Sequence, residues 1–158
     1  MRLFRLIQIP LALTTFLSWA PSDAQTIPAG YPRTPWIGSC FANGKGNGVS
    51  CTINTPAGQE VVVETVTFIG ASDASYDNVV LYLGMVTGGI PFAWANQIHK
   101  TVLSGAGHNY QLSQTVALYG DPLQAIFVSF ATDGNNPTVG LEGTVYLSGY
   151  TVPVSAGS

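Results

Sequence analysis

The sequence predicts an all-β fold: a two-sheet antiparallel β-sandwich, jelly-roll-like, carried behind an N-terminal signal peptide. Three observations predict it. Runs rich in Val, Ile, Thr, Tyr and Phe recur along the chain, the residue types that suit a pleated, half-buried surface. Gly, Pro, Asn and Asp clusters separate these runs at short intervals. No amphipathic window of useful length has helical periodicity. Seven or eight strands with short turns favour two packed sheets.

The chain starts with Arg2 and Arg5, followed by an apolar run from Leu6 to Ala20 and a short polar stretch ending in Ala24 and Gln25. This is the order of a secretory signal. Cleavage is expected after Ala24, with Ala20 and Ser22 as alternatives. The run is too short to span a bilayer as a helix and contains Gln8 and Pro10. Residues 25–36 hold Pro28, Pro32 and Pro35 and read as an extended leader. Residues 37–158 are left as one β-sandwich domain.

Between Cys40 and Cys51 lies Asn43-Gly44-Lys45-Gly46-Asn47-Gly48, which favours a tight turn. A hairpin would set the two cysteines opposite each other within disulfide range, and export would let the bond form. Next, Glu60–Ile69 is the clearest strand, although Glu64 shares a face with Val62, Val66 and Phe68 in regular alternation. Residues 70–78 read as a loop and Val79–Thr87 as a strand. Gly88-Gly89 marks a hairpin turn into Ile90–Leu103. Tyr110–Tyr119 and Leu123–Ala131 flank Gly120-Asp121-Pro122, and Val139–Val152 closes the fold.

Beyond the leader, the motifs Val61-Val62-Val63-Glu64-Thr65-Val66-Thr67, Leu118-Tyr119-Gly120-Asp121-Pro122 and Val145-Tyr146-Leu147-Ser148-Gly149-Tyr150-Thr151-Val152 resemble a group of secreted bacterial β-sandwich proteins of uncharacterised activity. The resemblance spans residues 60–152. It implies export and a sandwich, and brings no site residues with it.

Composition excludes several functions. Past residue 24 the chain keeps Arg33, Lys45 and Lys100 against seven acidic residues. Three scattered cations cannot track a phosphate backbone or hold an anionic membrane. With 46% hydrophobic residues the chain is no disordered tail.

Chemistry is sparse. His99 and His108 are the only histidines, and no serine sits in a G-x-S-x-G elbow. Glu60 and Glu64 lie on one strand about 13 Å apart, too far for the usual glycosidase pair. Glu142 could reach Glu64 only across a sheet. The loops carrying Asp73, Asp77 and Asn78, and Asp133, Asn135 and Asn136, could hold calcium through oxygen ligands. Turn formation accounts for the same residues. No cofactor signature occurs. Trp94, Asn96 and Tyr76 are the candidates for stacking on, and hydrogen bonding to, a sugar. The competing reading puts Trp94 in the core with Phe92, two residues away on the same strand face.

These features favour a secreted, non-catalytic binding module, extracellular or periplasmic, with glycans as the leading ligand. One alternative is a structural or assembly protein of the cell surface that donates residues 25–36 as a strand to a neighbour. A secreted hydrolase using Glu64, Glu142 or a histidine is the other. An extracellular glycan or a surface protein would be the partner in the first two cases.

Overall fold

The computed structural model describes residues 32–73, 78–101, 108–132 and 140–154. The signal segment, most of the leader, Tyr76, Asp77 and the Asp133 loop lie outside them. Among the described residues every regular element is a β-strand: β1 Thr34–Lys45, β2 Gly48–Asn54, β3 Gln59–Ser72, β4 Val79–Thr87, β5 Ile90–Thr101, β6 His108–Gly120, β7 Ala125–Thr132 and β8 Gly140–Pro153. All pairings are antiparallel, in the order β1-β8-β3-β6-β5-β4-β7-β2. Among the described residues no helix is long and apolar enough to cross a membrane.

The sheet is continuous but uneven. β3 pairs along nearly its whole length with both β6 and β8, whereas β5 meets β6 only through His99–Gln111, Lys100–Tyr110 and Thr101–Asn109. It curls there, and its outermost strands β1 and β2 come side by side, almost closing a barrel-like shape. Cys40 and Cys51 join those strands, their Cα atoms 6.0 Å apart. The disulfide is therefore present, but the hairpin pairing expected around it is not. β1 hydrogen-bonds to β8 and β2 to β7, so the bond clasps two sheet edges. β1 already pairs at Thr34, so residues 34–36 belong to the sheet.

The interior holds Val61, Val63, Val66, Phe68, Leu81, Leu83, Val128, Phe130, Val145 and Leu147, all essentially without solvent contact. The inward set changes parity between Val63 and Val66. A register shift between Val63 and Thr65 makes Glu64 the extra residue of a bulge, and its side chain is exposed. Glu64 thus leaves the face it would share with Val66 and Phe68 in regular alternation. Gly149 faces the bulge, where a Cβ would overlap the Val62 carbonyl. Gly70 and Gly143 are register partners, and a Cβ on either would run into the Phe68 ring. That ring meets Phe130 at 4.8 Å between centroids, tying β3 to β7 through the core.

Candidate binding site

Where the ends of β1, β8 and β3 lie side by side, register places two rungs of outward side chains together. One rung is Asn43, Glu142 and Ala71, and beyond it Lys45 pairs with Gly140, to which Asp73, just past the end of β3, is hydrogen-bonded. Ala71 has little side chain, and Gly140 has none, so the Asp73 carboxylate folds over Gly140 where a Cβ would otherwise sit. An open cleft of about 470 Å³ is lined by these six residues with Gly44, Ser72 and Leu141. Asp73 is fixed at its edge: its amide donates to the Gly140 carbonyl at 3.2 Å and its Oδ2 accepts the Gly140 amide at 3.1 Å. Ser72 Oγ donates to the same carbonyl at 3.0 Å. The rim therefore offers one ammonium, two carboxylates and one amide.

The next rungs on the same face mix apolar and hydroxyl side chains. Phe41, Thr144 and Ile69 form one, and Ser39, Tyr146 and Thr67 the following. Phe41 is 56% exposed, Ile69 55%, Tyr146 44%, and Ile37, on the rung beyond, 75%. Alternation makes these positions outward, so they cannot serve the core. Exposed Phe41, Ile69 and Tyr146 therefore stand among the hydroxyls of Thr144, Ser39 and Thr67, a mixture of apolar and polar groups suited to an interaction surface.

The residues singled out from sequence are dispersed. Trp94 and Phe92 are half-buried and packed against the core. Asn96 shares their inward face, and its Nδ2 donates to Gln114 Oε1 on β6. Asn78 accepts a hydrogen bond from Gln97 Nε2 at 2.9 Å. Asp73 and Asn78 thus belong to different surroundings, and among the described residues no three His, Cys, Asp or Glu side chains could hold a metal ion. Glu142 and Glu64 do not meet: Glu142 pairs with Ala71, seven residues along β3 from Glu64, about 23 Å. His99 is exposed on β5, and His108 pairs with Ser72 on the sheet face opposite Glu142. Tyr110 at the start of β6 is buried.

Sequence reading missed Phe41, Tyr146, Lys45 and the pairing of Asp73 with Gly140. Phe41 and Tyr146 each sit in an alternating run, but the parity that turns them outward depends on which face the disulfide and the bulge select. No protein-family model matches the chain, and no curated protein matches it.

Proposed function

We propose that this chain is an exported, non-catalytic binding module that holds glycans on the outer face of β1, β8 and β3. The observation that carries this reading is the exposed row of Phe41, Tyr146 and Ile69 beside the cleft of Asn43, Lys45, Asp73 and Glu142. Sugar rings present flat C–H faces that stack on aromatic rings, and their hydroxyls accept hydrogen bonds from amide N–H and ammonium groups and donate them to carboxylates. An apolar surface with a few convergent polar groups is the usual form of such a site. The fold supports the reading. Strand order 1-8-3-6 in one half and 5-4-7-2 in the other fits a two-sheet jelly roll, an architecture found among lectin domains. The resemblance to secreted sandwich proteins and the leader-like start point to export.

A glycan array probed with the oxidised chain, in calcium and again in EDTA, tests the proposal. Specific hits are expected, weakened at least tenfold by Tyr146→Ala and retained by Trp94→Ala. Loss on Trp94→Ala alone would move the site to β5, and loss in EDTA would give calcium a part in it. A blank array in both conditions would overturn the glycan reading. Cleavage of bound glycans that stops in Glu142→Gln would replace binding by hydrolysis, since Asp73 and Glu142 share the cleft.

A further inference from the structure

Among the described residues, β5 is an open edge over most of its length. Its ladder to β4 runs from Val79–Ile98 to Thr87–Ile90, but its ladder to β6 begins only at His99. The Thr87–Ile90 pair closes a two-residue turn whose glycines have φ of 58° and 74°. This pair is hydrogen-bonded, so the alternate set, Pro91, Ala93 and Ala95, points its backbone groups away from β4. Val86, opposite Pro91, obeys the same rule, its carbonyl accepting the Asp121 amide outside the β4–β5 ladder.

Two further features single out this edge. Natural edges are blunted by charge, proline or bulges; residues 79–98 contain no charged side chain, and Pro91 is the single proline among them. Phe92 and Trp94 point inward but remain half-buried, while Met85 and Leu83, their partners on β4, are fully buried.

We infer that β5 pairs antiparallel with β5 of a second copy of this chain, about a two-fold axis at Ala93. In that register Ala93 faces Ala93 of the second copy and Pro91 faces Ala95. About four ladder bonds form: the Ala93 amides to each other's carbonyls, and each Ala95 amide to the opposing Pro91 carbonyl. The proline costs nothing on its own sheet and ends the pairing on each side. On the inward face Phe92 meets Trp94 of the second copy, and Trp94 meets Phe92, as cross-strand aromatic pairs. An uncharged strand brings no like-charge repulsion to the axis, and the arrangement is closed because the same patch is used twice. Pairing over about seven residues covers roughly 700 Å² in total, less than the roughly 1,200 Å² of a stable interface. The dimer is accordingly weak and concentration-dependent. It is independent of the glycan site, which lies on the opposite half of the sheet.

Sedimentation velocity of the oxidised chain from about 10 µM to about 1 mM tests the inference. A shift from monomer to dimer within that range is expected. Ala93→Lys sets two ammonium groups directly across the axis, and Ala93→Asp two carboxylates. Each variant alone should stay monomeric, and an equimolar mixture should recover the dimer. Because Ala93 is exposed, both variants should keep the circular dichroism and melting temperature of the parent. A parent chain that stays monomeric at 1 mM would overturn the pairing, as would open-ended polymers or variants that dimerise as the parent does.

Discussion

Gly149 shows how one residue permits the local geometry around it. The bulge at Glu64 brings the Val62 carbonyl to where a Cβ of residue 149 would sit. Gly149→Ala should cost about 2–3 kcal/mol, read as a lower denaturant midpoint at unchanged slope. Asp121 works differently. Its two carboxylate oxygens accept the Gly88 and Gly89 amides, each at 2.8 Å, and its own amide donates to Val86. Gly120 beside it leaves room for the Met85 methyl. The Gly-Asp-Pro motif is therefore a clamp on the β4–β5 turn. Asp121→Ala should cost about 1–2 kcal/mol and speed hydrogen exchange at Gly88 and Gly89 before the core loosens.

At the scale of elements, the least supported junctions are the two places where the halves of the sheet meet. One is the three-pair ladder between β5 and β6, reinforced by Thr87 Oγ1 donating to the Tyr119 carbonyl and by Asn96 on Gln114. The other is the Cys40–Cys51 clasp, where no ladder joins β1 to β2. Replacing both cysteines by serine should cost about 3 kcal/mol, the value for a loop of this length. Because the bond clasps edges, the loss should be directional. Hydrogen exchange should rise first along β1 and β2 and leave β3 protected, since β3 keeps β6 and β8 as neighbours. Uniform loosening would contradict that picture.

For the whole molecule, stability rests on one interior shared by both halves of the sheet. Phe68 sits in the slot left by Gly70 and Gly143 and crosses to Phe130. Phe68→Ala should cost about 3–5 kcal/mol, enough to threaten folding of a marginally stable domain. The charges are distributed unevenly. Lys45, Glu60, Glu64 and Glu142 all belong to β1, β3 and β8, while β2, β4 and β7 carry none. Surface function should divide the same way. Substitutions at Tyr146 should act on ligand binding and leave solution size unchanged, and those at Ala93 should do the reverse, measurable by paired binding and sedimentation assays.

The all-β class, the positions of most strands, the Gly88-Gly89 turn and the disulfide were all legible in the sequence. These depend on residue type and short-range pattern: β-branched runs, positive-φ glycines, two cysteines around a turn. What only the tertiary structure decided is which strand pairs with which, and therefore which side chains meet. Cys40 and Cys51 looked like hairpin partners because local spacing cannot reveal that β8 and β7 take their backbone hydrogen bonds. Glu64 looked inward because strict alternation has no term for an inserted residue, and one such residue reverses the parity of everything beyond it. Trp94 drew attention as a large aromatic near amides, and the fold packs it against the core. The cleft joins residues from three strands far apart in the chain, Lys45, Asp73 and Glu142. Their proximity is a product of sheet order, set by long-range burial that no local pattern encodes.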